Sequence, residues 1–180
     1  MADERPRIDR VTTTGGDSGE TSLADGKRHD KGSPRIELIG ALDELNCELG
    51  IASLMLDGSL LEQIRSIQAR VFDIGAAVAT GQPQPFWRRE TQHLTSATEE
   101  LNSKLEPLAE FVLPGGNEAN ARLHVARAKT RRCERVFWRL NDEALIEASI
   151  GTFLNRLSDF LFVASRTVCD DEVIWQPLKD

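Results

Sequence analysis

Residues 117–140 read NEANARLHVARAKTRRCERVFWRL, and this segment decides the fold. Apolar or small side chains recur in it at spacings of three and four, the repeat of a helix with one buried face. They are Leu123, Ala126, Thr130, Cys133, Phe137 and Leu140. Pro114, Gly115 and Gly116 form a turn before the segment, and Asn117 is a suitable helix cap. The sequence therefore predicts a long helix that starts after Asn117.

The same spacing extends outward through the rest of the chain. It predicts four further helices, at about Pro34 to Leu56, Leu61 to Gly81, Arg89 to Leu108 and Ile150 to Val168. No convincing period-two strand is visible between them. The fold class expected is therefore all-α, a bundle of five helices.

The first 34 residues differ from this pattern because they are rich in Thr, Gly, Ser, Asp and Lys and nearly lack apolar residues. Such a composition cannot bury enough surface to form a packed element. We therefore divide the chain into a flexible arm, residues 1–34, and a helical-bundle domain, residues 35–180.

Composition limits the classes of function. The chain has 180 residues and a formal net charge of −7, which disfavours a generally basic nucleic-acid binder. Its three cysteines form neither a disulfide framework nor a metal-ligand spacing. No run of about 18 apolar residues could span a bilayer. A soluble, cytoplasmic protein without membrane or nucleic-acid partners is expected.

Charge is concentrated in the central helix. Its net charge of +6 between residues 122 and 139 leaves −13 for the remainder, and seven residues carry the positive charge: Arg122, Arg127, Lys129, Arg131, Arg132, Arg135 and Arg139. At about 100° per residue, Arg127, Arg131, Glu134 and Trp138 fall beside the apolar face rather than opposite it. Arginines in such a position suit a polyanionic phosphate ligand. A solvated helix face with i,i+4 ion pairs is the alternative.

Residues 12–21 read TTTGGDSGET, and their hydroxyls and glycine amides could approach phosphate oxygens. The segment lacks the Gly-Lys-Ser/Thr end of a P-loop, and taken alone its composition favours a disordered tail. Asp43 and Asn155 would ordinarily be surface residues of helices. His29, His93 and His124 have no ligand spacing, and we assign no metal site.

Six segments, taken in order, resemble the PduO-type ATP:cob(I)alamin adenosyltransferases over nearly the whole chain. They are Asp17-Ser18-Gly19-Glu20-Thr21, Lys31-Gly32-Ser33-Pro34, Gly40-Ala41-Leu42-Asp43-Glu44-Leu45-Asn46, Phe111-Val112-Leu113-Pro114-Gly115-Gly116, Arg127 through Arg135, and Leu154-Asn155-Arg156-Leu157-Ser158-Asp159. The resemblance implies a ferritin-like, up-down five-helix bundle that forms a homotrimer. It also implies that ATP and the corrinoid bind between subunits, with Mg²⁺ on the triphosphate.

The resemblance also implies roles for particular residues. Arg127 would pair with Asp43, and Phe111 would press against the lower axial face of cobalt. ATP would be held by Thr13, Gly16, Asp17, Gly19, Thr21, Lys31, Arg131, Glu134, Arg135 and Asn155. The implied activity is transfer of the 5′-deoxyadenosyl group of ATP to Co(I) of cobalamin, with triphosphate released. A cobalt reductase and a B12-dependent acceptor enzyme are further partners that it implies.

The match is weakest in the arm. Position 14 is a threonine where the family has a basic residue, and Gly32 and Ser33 replace an acidic pair. A non-catalytic, trimeric corrinoid or nucleotide binder therefore remains an alternative. An RNA-associated helical protein that uses the basic helix for phosphate contacts is another.

Overall fold

Five helices form the molecule, a computed structural model that describes residue 12 and residues 14–144, 147–169 and 171–178. The helices are α1 (Pro34–Ser53), α2 (Gly58–Thr80), α3 (Trp87–Asn102), α4 (Glu118–Ala144) and α5 (Ser149–Thr167). Helix α4 packs against both α1 and α5, while α2 lies against α1 and α3 against α5. The predicted five-helix bundle is confirmed.

The apolar face of α4 lies at the centre of the core. Leu123, Ala126, Cys133 and Phe137 are all completely buried. The Cys133 thiol donates to the Ala41 carbonyl at 3.2 Å, and burial raises its pKa to about 12. This cysteine therefore packs as an apolar side chain and is not a reactive thiolate.

Two helices end earlier than the sequence indicates. Helix α1 ends at Ser53 because the next amides bond to carbonyls three residues back, as Met55 does to Ala52. Helix α3 ends at Asn102 in the same way, so that Leu105, predicted to be helical, lies in a tight turn. A three-residue hydrogen-bond spacing tightens a helix end without changing its apolar period.

The expectation of no strands is wrong. Two antiparallel pairs are present: β1 (Glu20–Ser22) with β2 (Arg28–Asp30), and β3 (Val112–Leu113) with β4 (Val173–Ile174). Strands of two or three residues are too short to show a period-two pattern, which needs at least four. Part of the predicted arm is thus a hairpin, and the C-terminal segment is tied to the turn before α4. None of the helices described is both long and apolar enough to cross a membrane.

Helix α5 approaches α4 closely at a glycine. A Cβ atom at Gly151 would lie 2.5 Å from Cζ2 of Trp138 and 2.8 Å from Cε1 of Phe137. Real Cβ contacts are longer, so a side chain here would push the two helices apart.

We predict that Gly151→Ala lowers the free energy of unfolding by about 1–3 kcal/mol, through overpacking of the α4–α5 contact. Gly40→Ala is the matched control, because a Cβ at this glycine of α1 meets nothing within 4 Å. That change should be neutral or stabilising by about 1 kcal/mol or less. Urea unfolding of both variants tests this, and equal stability of the two would contradict the close approach.

Candidate functional site

One flank of α4 is neutralised by α1. Four of its seven cations pair with glutamates of that helix: Arg122 with Glu48 (3.5 Å), Lys129 with Glu44 (3.5 Å), Arg132 with Glu44 (2.8 Å) and Arg139 with Glu37 (3.3 Å). These side chains are mostly solvent-accessible, so each pair adds little stability. Because of these ion pairs, the four cations already have carboxylate partners.

The opposite flank of α4, which we call the open flank, carries Arg127, Arg131 and Arg135. Within the described residues none of these three makes an ion pair with an acid. Arg127 is half-buried, and its Nε–H has no hydrogen-bond partner. Burial, and then the charge of Arg131, lowers the pKa of Arg127. Unpaired guanidinium groups that repel one another favour a bound anion.

Two other predicted site residues lie on α4 and α5. Glu134 is half-buried on α4, one residue before Arg135, and Asn155 is half-buried on α5. The side chain of the adjacent Arg156 is held by Asp159 at 2.9 Å, so it is not free to pair elsewhere. The sequence predicts Glu134 at the edge of the core, and its partial burial agrees with that prediction.

Phe111 is displayed at the surface by the turn before α4. Its side chain is 76% exposed, and its ring meets Trp175 edge to face at 6.2 Å between centroids. The Trp175 amide donates to the Phe111 carbonyl at 2.7 Å. The ring borders a pocket of about 330 Å³ that is lined by Leu108, Ala109, Glu110, Phe111 and Phe162. An exposed phenylalanine beside an open pocket is suited to contact a large, flat ligand.

The turn after Phe111 is fixed by backbone geometry. Gly116 has φ of +100°, which other residues rarely adopt, and a Cβ there would lie 2.6 Å from Sγ of Cys169. The Gly115 amide donates to Oδ1 of Asn120 at 2.9 Å. Asn120 in turn donates to the Ser165 carbonyl at 2.9 Å, which joins the turn to α4 and α5.

Arg166, near the end of α5, forms a partly buried ion pair with Glu172. Arg166 donates to both carboxylate oxygens of Glu172, at 2.8 and 3.1 Å, and to the Glu106 carbonyl at 3.0 Å. It therefore fastens the segment before Phe111 to the end of α5. Sequence reasoning missed Arg166, Glu172 and Asn120, because single polar residues without spacing give no signal.

The arm folds back on β2 through Lys31. Its Nζ donates to the Gly16 carbonyl at 2.6 Å, and its amide donates to the Gly19 carbonyl at 2.9 Å. Asp17 is exposed, and its amide donates to the Thr14 carbonyl at 3.1 Å. Three predicted ligands of the arm are therefore brought together here, Lys31, Gly16 and Gly19. Thr21 lies in β1 opposite His29, and Thr13 lies outside the described residues.

The turn after Lys31 is capped despite the absence of an acidic pair. The Gly32 amide donates to Oδ1 of Asp30 at 2.6 Å, and the Ser33 amide donates to the Asp30 carbonyl at 3.1 Å. Asp30 thus closes this turn, while the side chain of Ser33, at the N-cap of α1, makes no capping hydrogen bond.

Asp25 anchors the hairpin to the bundle. Its carboxylate accepts from the Lys27 amide, from Nε2 of His29 and from Nη1 of Arg35, each at 3.0 Å. Its own amide donates to the Ala79 carbonyl of α2 at 3.1 Å. The hydrogen bond from the Lys27 amide, followed by the hydrogen bond and charge of His29 and the charge of Arg35, lowers the pKa of Asp25.

Asp43 does not meet Arg127 within one chain. In the described residues no ion pair joins them, because α4 turns its other flank toward α1. Asp43 lies instead at a groove of about 240 Å³ between α1 and α2, next to Phe72, whose side chain is 70% exposed. The arm likewise makes no described hydrogen bond or ion pair with the open flank. In the described part of this chain, the predicted site residues therefore lie in separate groups.

No group of three His, Cys, Asp or Glu side chains stands close enough to hold a metal ion in the part of the chain that the structure describes.

Most of the chain is similar in sequence to known proteins. The family model described as Cobalamin adenosyltransferase matches residues 11–168. A cobalamin adenosyltransferase of Cupriavidus metallidurans is 35% identical over 178 residues, which cover 94% of this chain and 96% of the relative. The corrinoid adenosyltransferase PduO of Salmonella typhimurium is 36% identical over 168 residues, 89% of this chain and 50% of the relative.

A solved structure is similar throughout. It is a variant of the PduO-type ATP:corrinoid adenosyltransferase from Lactobacillus reuteri, in complex with cobalamin and ATP. It superposes with a TM-score of 0.85 at 28% identity and covers 93% of this chain and 100% of the other.

The Asp25 contacts predict a pH-dependent attachment of the hairpin. A carboxylate with a lowered pKa stabilises the folded state above its unfolded value, here 3.8, and loses that contribution as the pH falls toward the folded pKa. Hydrogen exchange of hairpin amides in residues 20–30 should therefore accelerate below pH 3.8, relative to amides of α4. In Asp25→Asn it should already be faster at neutral pH. Unchanged exchange in this variant would show that the anchor is dispensable.

Proposed function

The chain belongs to the cobalamin adenosyltransferase family, and on that basis we propose that it transfers the 5′-deoxyadenosyl group of ATP to Co(I) of cobalamin and releases triphosphate. The reaction needs a site that binds a polyanion beside a flat macrocycle. It also needs alignment of the cobalt with the ribose 5′ carbon.

The observation that carries this proposal is the open flank of α4. The glutamates of α1 form ion pairs with four cations of the helix. Arg127, Arg131 and Arg135 are left without described ion-pair partners. Planar guanidinium groups bind phosphate oxygens in pairs, so this flank suits a triphosphate. We assign Arg131 and Arg135 to the phosphates, with Glu134 and Asn155 orienting them and the nucleoside.

The arm supplies the remaining contacts of ATP. The Gly16 carbonyl accepts from the ammonium group of Lys31, the Gly19 carbonyl accepts from the Lys31 amide, and Asp17 is exposed. We propose that Lys31 exchanges the Gly16 carbonyl for a phosphate oxygen when ATP binds. Thr13 and Thr21 are assigned to the same nucleotide. Mg²⁺ would neutralise part of the triphosphate charge.

Phe111 is assigned to the corrinoid. An apolar ring against the lower face of cobalt excludes a donor ligand there, and loss of that ligand makes reduction of Co(II) easier. The Co(I) substrate is then the nucleophile: its electron pair forms the bond to C5′, the C5′–O bond breaks, and triphosphate leaves with those electrons. No proton moves, so the protein needs no general base. Its work is alignment and stabilisation of the leaving charge.

We further propose that the site is completed between subunits of a homotrimer of ferritin-like, up-down bundles. Arg127 and Asp43 do not pair within one chain, but each is available to a neighbouring subunit. The exposed Phe72 beside Asp43 provides an apolar contact for such a neighbour. An Asp43–Arg127 ion pair across this contact would link the groove between α1 and α2 to the open flank.

The alternative of a non-catalytic binder rests on the unusual arm. The capping of the turn by Asp30 and the Lys31 contacts favour an arm that still binds nucleotide. An RNA-binding role is less favoured, because more than half of the basic helix's cations are already paired with α1. We place the enzyme in the cytoplasm, with a cobalt reductase upstream and a B12-dependent acceptor enzyme downstream.

One experiment separates these alternatives. The purified protein is mixed anaerobically with reduced cobalamin and Mg·ATP, and the light-sensitive spectrum of the adenosylated product is followed. An enzyme produces it in a time-dependent manner. A protein that binds both ligands without producing it is the non-catalytic relative, and salt-dependent RNA binding that ignores cobalamin would support the RNA-binding alternative.

We predict that Arg131→Ala lowers kcat/KM for ATP by roughly ten- to a hundredfold, the usual cost of a lost hydrogen bond to a charged group, while the melting temperature stays close to the wild-type value. Arg139→Ala is the matched control. It removes the same charge from the same helix, but Arg139 is paired with Glu37. If both variants lose ATP use equally, general charge rather than the open flank is responsible.

Phe111→Ala should slow formation of the adenosyl-cobalt bond by about tenfold or more, because the cobalt regains access to a lower ligand. ATP affinity should not change. Leu113→Ala provides a control for loss of an exposed apolar side chain from the same turn. Stopped-flow spectroscopy that starts from the Co(II) substrate, a reductant and Mg·ATP measures this effect, and a wild-type rate in the Phe111 variant would remove this residue from the site.

A further inference from the structure

A column of polar side chains runs along α4 from the Phe111 turn to the open flank. Its members are Asn120, His124, Arg127 and Arg131, at spacings of four, three and four, so they share one face of the helix. Asn120 and His124 are buried, Arg127 is half-buried and Arg131 is exposed. The column therefore extends from the interior to the proposed triphosphate.

The hydrogen bonds of Ser165 fix the tautomer of His124. The Ser165 hydroxyl has one proton, and it lies 2.7 Å from the Phe162 carbonyl, which can only accept. The same hydroxyl lies 3.2 Å from Nε2 of His124. Donation of that proton to Phe162, the shorter of the two contacts, leaves the hydroxyl oxygen to accept from a protonated Nε2. In a neutral ring this leaves Nδ1 as an acceptor.

That acceptor has no donor among the described residues, although it is buried. One helical turn along, the buried Nε–H of Arg127 is a donor without an acceptor. A helical side chain points back toward the N-terminus of its helix, which carries Arg127 over His124. An unsatisfied buried acceptor and an unsatisfied buried donor thus lie one helical turn apart on the same face of α4, and either alone is costly.

We propose that His124 is a positioning residue for Arg127: its Nδ1 accepts the Arg127 Nε–H, by a small rotation of the arginine or through one water. This inference rests on the proposed function, since it assigns His124 to the same site. The bond uses only the Nε–H of Arg127. It leaves the two terminal nitrogens pointing outward for Asp43 of a neighbouring subunit or for substrate. His124 thereby couples the anchored Phe111 turn to the arginines that bind the nucleotide.

The electrostatics of the histidine agree with this role. Burial, and then the charge of Arg127, lowers the pKa of His124, while Glu172 acts in the opposite direction. The ring is therefore neutral at neutral pH and keeps its Nδ1 lone pair. An imidazolium would carry protons on both nitrogens and could not accept from a guanidinium.

Two substitutions separate the two nitrogens of His124. In His124→Asn the amide oxygen lies near the position of Nδ1, so an acceptor for Arg127 is kept and the Ser165 contact is lost. In His124→Gln the amide nitrogen lies near the position of Nε2, so the Ser165 contact is kept and the acceptor is lost. The positioning role predicts that Gln lowers kcat about tenfold or more at similar KM for cobalamin, and that Asn retains most of the rate. A purely structural role through Ser165 predicts the reverse order.

The Arg127 side chain provides a second measurement that does not need activity. In ¹⁵N spectra of the wild-type protein, the Arg127 Nε–H signal, assigned with Arg127→Lys, should be protected from exchange with water. It should stay protected in His124→Asn and become unprotected in His124→Gln. Equal exchange in all three proteins, or a His124 ring protonated on Nδ1, overturns the positioning role. An inactive wild-type protein with the expected protection would instead refute the proposed function alone.

Discussion

The arrangement of the proposed site depends on how α4 is rotated about its own axis. Burial of Leu123, Ala126, Cys133 and Phe137 fixes that rotation, because turning the helix would expose these side chains and bury charges. With the apolar face inward, one row of cations meets the glutamates of α1 and the other row is left open. The ion pairs themselves contribute little stability. Their effect is that some arginines of α4 have glutamate partners and the others remain available to a ligand.

The two ends of the proposed site are tied to the same helix. At its N-terminus, Asn120 binds the turn that displays Phe111, and its second contact reaches α5 through the Ser165 carbonyl. Further along, the open flank presents Arg127 and Arg131. A rigid helix between them keeps a constant distance between the proposed corrinoid and phosphate contacts. Alignment of this kind is the main contribution a protein can make to a reaction that needs no proton transfer.

The helices could be predicted from sequence because their cores repeat every three to four residues. The strands could not, because a ladder of two residues, such as Val112–Leu113 with Val173–Ile174, depends on partners about 60 residues away. Which arginines of α4 are paired could not be predicted either. The partners of Arg132 and Arg139 are Glu44 and Glu37, on a helix that is distant in the sequence. His124 gave no signal, since a single histidine without ligand spacing usually has no special role. The motif order indicated Phe111 and Arg131, but it could not show that Arg127 and Asp43 lie apart within one chain.

The most direct test of the central claim is a crystal structure of the protein with Mg·ATP bound. We expect the triphosphate to lie between the open flank and the arm loop around Lys31. Arg131 and Arg135 should contact its oxygens. The cations that face α1 should keep their glutamate partners. ATP bound away from α4, or bound to Arg132 and Lys129 with their ion pairs to Glu44 broken, would contradict it.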